Sequence, residues 1–411
     1  MKAAAALLLC ALLQEAKPEA RTFVVRFDRE AGKASPRTGF LGGLRDEIPD
    51  AVIRPLQPSL WRIGHQFRGR VSGGLTAAID RVEKLGAKYK LVMSDLIASN
   101  HEDWPRYEAD VRKLVAQAGE RSPRIIWEPV NEPDISHKPI DRYYRLYARA
   151  FKALREADPK AEICGPGFAF PSHAKYREFL EGCRQNRLEC NYLAWHYTGW
   201  DPDAPERSRW DLGRLPGFIR EFPEQKIREV HCDEWGAGPD KPGRLHPGRA
   251  IVWFHYLENV YRVDRACRAN WGKEDDHLGG IVAPGGATLP VYHAYRFYAS
   301  WKGRTRAAVE GSDRSMACLA ARDGDLFEVL LGSLAKGACR VTLDLRGPLP
   351  PDCPVEVRMI PGRDLDAPLE AGAIPLAGEA AVERRDGAVR VVLGKVEENQ
   401  VYRVTAGPRK P

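Results

Sequence analysis

Strand-like and helix-like segments alternate eight times between residues 39 and 301 of this 411-residue chain, and no other feature limits its fold so strongly. Eight strand–helix units of this size are typical of a (β/α)8 TIM barrel, which is the α/β fold predicted for residues 37–302. A doubly wound sheet is the main alternative, but no glycine-rich phosphate-binding turn follows the first strand. The predicted strands are 39–43, 60–64, 89–93, 124–127, 162–165, 192–195, 227–231 and 266–270, and the clearest helices are 75–85, 107–118, 143–157 and 250–263.

The pattern changes after residue 302. Short apolar runs follow one another, with Asp-Gly turns between some of them. This arrangement predicts a C-terminal all-β sandwich over residues 303–411. A further strand at 22–27 precedes the barrel, so residues 21–36 are expected to join that sandwich. The strands predicted after residue 302 are 317–322, 326–331, 340–345, 355–360, 388–393 and 401–405.

The chain opens with a positive charge followed by an apolar run. Met1 and Lys2 precede uninterrupted apolar residues at 3–13, a run too short to cross a bilayer. The pattern predicts a secretory signal peptide over residues 1–20, cleaved between positions 16 and 20, and therefore a secreted or periplasmic protein. A buried N-terminal helix is the alternative. The remaining sequence has no apolar run long enough to span a membrane.

Charge and cysteine usage argue against several classes of function. The 63 basic and 56 acidic residues give a net charge of +7 but are interspersed, which indicates a solvated surface and no nucleic-acid partner. The nine cysteines form no C-x-x-C pair, which argues against a zinc or redox motif. Cys183 and Cys190 could form a disulfide in an oxidising compartment, and the sequence leaves this open. The ten tryptophans are more informative, because sugar-binding clefts use flat aromatic faces.

Two glutamates lie where predicted strands end. Glu132, within Asn131-Glu132-Pro133, follows the fourth predicted strand, and Glu234 ends the seventh. In a barrel, functional groups collect at the C-terminal ends of the strands. Carboxyl groups on two separate strands could approach a bound sugar from two sides, one protonated and one ionised. Neither motif is specific alone, but their joint placement predicts glycoside hydrolysis.

Here the chain resembles the clan A glycoside hydrolases, most closely glycoside hydrolase family 39, the β-xylosidase and α-L-iduronidase family. The family's fourth-strand motif, Glu-x-Trp-Asn-Glu-Pro, is matched by residues 128–133, with Val130 in place of Trp. The resemblance implies that Glu132 is the acid/base and that Asn131 hydrogen-bonds the sugar 2-hydroxyl. The Glu-Trp pair that ends the seventh strand implies that Glu234 is the nucleophile.

The resemblance also implies a set of substrate-binding residues. Residues 195–197 are similar to the sixth-strand pattern Ser/Ala-Trp-His-x-Tyr, but Thr198 stands where the family has Tyr, and Tyr197 comes one position early. Arg62 resembles the second-strand Arg that keeps the nucleophile ionised, and Trp271 resembles the aromatic floor of the sugar site. His65 is either a sugar contact or a packed structural residue. The predicted substrate-binding residues are Asn131, His196, Tyr197, Arg62, His65, Trp235 and Trp271.

Metal chemistry is not expected. Residues 231–234 read His-Cys-Asp-Glu, but strand alternation turns neighbouring side chains to opposite faces, so the four could not converge on one ion. The sequence thus predicts a retaining, β-xylosidase-like glycosidase that needs no cofactor and acts on a carbohydrate substrate. The alternatives are another clan A glycosidase or endo-glycanase, and a catalytically weak carbohydrate-binding protein on the same scaffold. The sugar, the linkage and the oligomeric state stay open.

Overall fold

The computed structural model describes residues 19–64, 71–97, 103–136, 140–197, 209–236, 245–269, 277–350, 352–385 and 388–408. Its strands are β1 (Glu19–Lys33), β2 (Phe40–Leu41), β3 (Leu60–Ile63), β4 (Lys88–Val92), β5 (Ile125–Glu128), β6 (Glu162–Ile163), β7 (Tyr192–Tyr197), β8 (Glu229–Trp235), β9 (Arg265–Arg268), β10 (Thr305–Glu310), β11 (Met316–Asp323), β12 (Leu326–Ser333), β13 (Cys339–Arg346), β14 (Val355–Ile360), β15 (Ala380–Arg385), β16 (Ala388–Val396) and β17 (Val401–Ala406). Its α-helices are α1 (Asp50–Ile53), α2 (Gly74–Lys84), α3 (Trp104–Ala118), α4 (Pro133–Ser136), α5 (Ile140–Ala157), α6 (His173–Gln185), α7 (Arg209–Leu212), α8 (Phe218–Glu221), α9 (Pro247–His255) and α10 (Pro290–Ala299). Short 3-10 segments lie at Arg54–Leu56, Met93–Asp95, Gly119–Arg124, Leu215–Gly217, Pro223–Gln225, Pro284–Gly286 and Ala371–Ala373, and a π-helical turn at Tyr256–Val260 continues α9.

Strands β2 to β9 form the barrel. They are parallel and are hydrogen-bonded in chain order, from β6 back through β2 to β9, β8 and β7. A parallel bridge between Cys164 and Tyr192 joins the two ends of this series, so the sheet is closed. This is the arrangement that the strand–helix alternation predicts.

The barrel strands are buried on both faces, as β3 illustrates. Trp61 and Ile63 belong to the large core between strands and helices, whereas Leu60 belongs to a small apolar cluster with residues of other barrel strands. Arg62 alternates with Trp61 and Ile63 and is also buried. Because apolar side chains fill the outer layer, the buried polar groups are left to the interior of the barrel.

Nine strands form a second sheet, in the order β14-β17-β12-β11-β10-β1-β13-β16-β15. The N-terminal strand β1 lies inside it, antiparallel to β10 and parallel to β13. Strands β10 and β15 were not predicted from the sequence. Hydrogen bonds join all nine strands into one sheet, and the predicted division into two sandwich layers stays a prediction. The rings of Phe27 on β1 and Phe327 on β12 are 4.9 Å apart although two strands separate them, so the sheet must bend sharply there.

The barrel contacts the second sheet through two glycines. A Cβ atom on Gly248 of α9 would lie 2.3 Å from the Ser333 carbonyl oxygen, and one on Gly332 would lie 2.6 Å from the Gly248 carbonyl oxygen. Only glycine allows the backbones of α9 and β12 to approach so closely. Elsewhere, Cys183 and Cys190 are buried free thiols. None of the described helices combines the length and the apolar sequence that a bilayer crossing requires.

Candidate active site

Arg62 of β3 connects three polar residues at the C-terminal ends of the barrel strands. Its Nε and Nη2 atoms donate to the two carboxylate oxygens of Glu128, each at 2.7 Å. Its Nη1 donates to Glu234 Oε1 at 2.6 Å, and Nη2 also donates to Asn131 Oδ1 at 2.8 Å. Arg62 is 1% exposed, so these charge-assisted bonds are made without water. The structure therefore brings together three of the predicted site residues, Arg62, Asn131 and Glu234.

The two predicted catalytic glutamates face each other. One carboxylate oxygen of Glu132, one of Glu234 and a ring nitrogen of His196 all lie within 4.8 Å of one another. His196 Nδ1 is 3.1 Å from Glu132 Oε1 and 3.6 Å from Glu234 Oε1. Carboxyl groups roughly 5 Å apart are typical of retaining glycosidases, whereas inverting enzymes need a wider gap for water.

Backbone strain sets the direction of the Glu132 side chain. Its φ angle is +46°, in the left-handed region that non-glycine residues rarely occupy. The surrounding backbone is fixed, since the Asn131 N–H donates to Ser94 Oγ and the Glu132 carbonyl accepts from the Ile135 N–H. Such strain costs on the order of 1–3 kcal/mol and is found mainly at functional sites.

An irregularity in β8 places two consecutive carboxylates inside the barrel. Cys232 and Glu234 are paired with consecutive residues of β7, so Asp233 is an extra residue in β8, and the pairing with β9 shifts at the same place. Asp233 Oδ2 is consequently 3.8 Å from Arg62 Nε, while Glu234 bonds the same guanidinium. The assumption of strict alternation over residues 231–234 is thus wrong at this point, because a bulge resets the side-chain period.

A second buried cation balances Asp233. Lys90 Nζ on β4 donates to Asp233 Oδ1 and Oδ2 at 2.7 and 2.6 Å, and it is 3.2 Å from Cys164 Sγ. Both charged side chains are fully buried. Sequence reasoning missed Lys90, Asp233 and the structural importance of Glu128. Lys90 could have been noticed in the sequence, because it is a charged residue in the middle of the buried strand β4.

Gly167 follows β6 and lies so close to the site that only glycine fits there. A Cβ atom on Gly167 would lie 2.8 Å from Glu128 Oε1 and 3.0 Å from His196 Nε2. Any side chain there would displace the carboxylate that holds Arg62. Gly167 was also missed, since its role depends on a contact distant in sequence.

Burial and Arg62 together set the protonation of the site. Burial raises the pKa of Glu234 to about 8. The positive charge of Arg62 opposes this rise, and the negative charge of Glu132 adds to it. Burial also raises the pKa of Glu132, again opposed by Arg62. Burial and the positive charge of Arg62 hold the pKa of His196 well below its usual range. Despite burial, the charge of Arg62 lowers the pKa of Glu128. The low pKa of His196 favours a neutral imidazole, and the raised pKa values of Glu132 and Glu234 favour a proton on this pair.

Within the part of the chain that the structure describes, two groups of side chains have donor atoms close enough to hold a metal ion. They are Glu128 with His196 and Asp233, and Glu132 with His196 and Glu234. Arg62 and Lys90 already bond carboxylates of these groups, so a divalent ion would lie close to two buried cations. That repulsion disfavours a metal at either position. Glycoside hydrolysis by a carboxyl pair requires none.

Two further predicted site residues, Trp235 and Tyr197, pack among other aromatic rings. Trp235 is 1% exposed and packs on Trp253 and Tyr295, with ring centroids 5.5 and 6.0 Å away. Its prediction as a substrate contact is corrected, because the bulge turns this ring toward the helices. The Tyr197 ring packs on Trp253 at 5.1 Å, on the face of β7 opposite His196. His65 and Trp271 lie outside the described residues.

Comparisons with known proteins extend the resemblance to the whole fold. No protein-family model and no curated protein matches this sequence. N2152 from Neocallimastix frontalis is similar in structure, with a TM-score of 0.77 and 18% identity over 95% of this chain and 100% of that one. A glucosidase from Croceicoccus marinus has a TM-score of 0.67 and 16% identity, covering 96% and 100% of the two chains. The GH39 enzyme from Xanthomonas axonopodis pv. citri has a TM-score of 0.68 and 15% identity, covering 97% and 100%. At these identities the fold alone is shared. The predicted resemblance to clan A glycoside hydrolases is confirmed at that level.

Proposed function

We propose that this protein is a retaining glycoside hydrolase. The observation that carries the proposal is the approach of Glu132 and Glu234 to within 4.8 Å, with Arg62 bonded to Glu234. A carboxyl pair at this spacing suits double displacement through a covalent intermediate. The shared fold of several glycoside hydrolases, including the GH39 enzyme named above, supports it independently.

In the first step Glu234 attacks the anomeric carbon. The carboxylate forms a bond to that carbon, while the glycosidic C–O bond breaks and the Glu132 proton moves to the leaving oxygen. In the second step Glu132, now ionised, removes a proton from water as the water attacks the same carbon. The ester bond to Glu234 breaks, the sugar leaves with retained configuration, and Glu132 is protonated again.

Arg62 opposes the effect of burial on Glu234. Greater burial favours a proton on Glu234, which is only 3% exposed. The 2.6 Å bond from Arg62 Nη1 favours the ionised form of the same carboxyl group. In the reactive form Glu234 is the carboxylate bonded to Arg62, and the proton of the pair resides on Glu132, where the leaving group needs it.

We further propose β-xylosidase-like specificity and export directed by residues 1–20. The first is supported by the motif at residues 128–133 and the second by the apolar run at 3–13. Two described neighbours of the site suit a sugar: Asn131, which Arg62 bonds and which fits a 2-hydroxyl, and His196, which lies 3.1 Å from Glu132. Both side chains are neutral, which fits an uncharged sugar.

A panel of aryl glycosides tests the proposal. The chain should release the aryl group from at least one substrate, with β-D-xyloside expected to be the best. A 2-deoxy-2-fluoro glycoside with an activated leaving group should then inactivate the protein and add the mass of one fluorosugar to the peptide that contains Glu234. Sugar binding without any turnover across the panel would identify a carbohydrate-binding protein instead.

A further inference from the structure

An exposed aromatic ring lies beside the segment that carries Glu132. Phe170 follows β6, in the connection to α6. Its side chain is 66% exposed, the highest value for a large hydrophobic residue in the part of the chain that the structure describes. A single exposed hydrophobic residue is ordinary and needs no explanation. Phe170 differs from such residues because charged partners fix its backbone on both sides.

The carboxylate of Asp134 and the ammonium of Lys175 hold this loop in place. Asp134 Oδ1 accepts from the Ala169 N–H and Oδ2 from the Phe170 N–H, both at 2.9 Å. Lys175 Nζ donates to the Phe170 carbonyl at 2.7 Å and to Asp134 Oδ2 at 2.9 Å. Asp134 is itself buried. The backbone of Phe170 is therefore rigid while its ring faces solvent.

The same bonds join Phe170 to the segment that carries Glu132, the proposed acid. Asp134 comes two residues after Glu132, and the Ile135 N–H donates to the Glu132 carbonyl at 3.0 Å. Ile135, which follows Asp134, is also exposed. In a retaining glycosidase the acid protonates the leaving oxygen, so the leaving group lies on the side of Glu132 rather than Glu234.

We propose that the ring of Phe170 forms the platform on which the leaving-group sugar rests. The proposal builds on the glycosidase function proposed above. A pyranose ring presents an apolar C–H face, and an aromatic ring can cover it without hydrogen bonds. A ring already fixed in place loses little conformational entropy on binding, so more of the contact contributes to affinity. The platform would give the enzyme a preference for substrates with a sugar leaving group over those with a small one.

The test compares two substrates that share the reacting sugar. One is a disaccharide, and the other is the glycosyl fluoride, which has no leaving-group ring. Phe170→Ala should lower kcat/KM for the disaccharide about ten-fold, mainly through KM, and should have a much smaller effect on the fluoride. Phe170→Trp should keep most of the wild-type value. Leu376→Ala is the matched control, because Leu376 is 63% exposed but lies between β14 and β15 of the second sheet.

A second variant tests the rigid backbone. Lys175→Met removes the bond to the Phe170 carbonyl and should weaken the disaccharide selectively, by less than Phe170→Ala does. Equal losses on both substrates, or no loss with Phe170→Ala, would overturn the platform while leaving the glycosidase intact. A wild-type protein that hydrolyses neither substrate would instead refute the proposed function itself. Thermal unfolding of each variant separates a binding effect from misfolding.

Discussion

The barrel and the nine-stranded sheet each bury a cluster of arginine and glutamate, and the two clusters have opposite charge balance. In the barrel, the single guanidinium of Arg62 is shared among three acceptors. In the sheet, the single carboxylate of Glu328 accepts from two guanidiniums, those of Arg304 and Arg403. Glu328 is fully buried, whereas its two partners are partly exposed.

Under the proposed function, similar side chains serve reactivity in one place and stability in the other. With two cations against four carboxyl groups, the barrel cannot keep every acid ionised, so it holds a proton that can be transferred. With two guanidiniums for one carboxylate, the sheet cluster keeps Glu328 ionised and has no proton to exchange. The excess of carboxyl groups over cations, rather than burial alone, therefore distinguishes the candidate active site from the sheet cluster.

Removing Glu234 should have the largest effect on activity. Glu234→Ala should lower kcat by roughly 10⁴-fold or more, because no carboxylate remains to attack the anomeric carbon. Added azide should restore turnover and give a glycosyl azide of inverted configuration, since the small anion can occupy the space of the lost group. Release of an aryl leaving group, followed by NMR of the product, measures both effects. Substantial activity without azide would show that Glu234 is not the nucleophile.

Glu132→Gln should act next most strongly, and its effect should depend on the substrate. Substrates with poor leaving groups should lose about 10²- to 10⁴-fold in kcat/KM, while activated aryl glycosides should lose far less, since they depart without protonation. Equal losses on both substrate types would reject the acid role.

The same variant should remove one limb of the pH profile and leave the other in place. In the wild-type protein the singly protonated pair is active, so activity falls as pH rises through the pKa of Glu132 and falls as pH drops through that of Glu234. Glu132→Gln should abolish the alkaline limb. The acid limb should stay where it is, because Glu132 is protonated while Glu234 titrates, and the amide is as uncharged as that carboxylic acid. An unchanged profile of kcat/KM against pH would contradict the shared proton.

The strand–helix alternation was enough to predict the barrel and the strand ends that carry Glu132 and Glu234. Hydrophobic periodicity indicates which segments are buried. Because the parallel strands of a barrel are neighbours in chain order, their order in the sequence also gives their order around the barrel. Strands β10 and β15 escaped prediction because their short alanine- and arginine-containing sequences show little apolar alternation.

The interior cluster was only partly predictable. Arg62 was found through family resemblance, whereas Lys90 and Asp233 depend on a contact between β4 and β8 that periodicity does not report. The bulge at Asp233 shifts every later side chain of β8, and Trp235, predicted to bind substrate, is consequently buried against the helices. A one-residue insertion in a strand has no sequence signature strong enough to reveal it.

Arg62→Lys tests the comparison further, because it keeps the positive charge and removes the planar guanidinium that bonds several acceptors at once. A lysine cannot bond Glu128 in a bidentate manner and reach Glu234 at the same time, so Glu234 should hold its proton to higher pH. We expect kcat/KM to fall about 100-fold, with the acid limb of the pH profile shifted upward. The expected loss of stability is about 3 kcal/mol, measured by urea unfolding, because a buried carboxylate loses partners. A variant with a wild-type pH profile would show that Arg62 has only a structural role.

Glu328→Gln should have the smallest effect on activity and a clear effect on stability. The amide has nearly the same shape as the carboxylate but cannot neutralise Arg304 and Arg403, which would then repel each other across the sheet. Because both arginines are partly exposed, water can solvate them again, and we expect a cost of about 2 kcal/mol in the free energy of unfolding. The value of kcat/KM per folded molecule should stay within about two-fold of the wild type, since no described bond joins this cluster to Arg62 or the glutamate pair. A large loss of activity in fully folded protein would mean that the two clusters are coupled, and the division between a reactive barrel and a structural sheet would then fail.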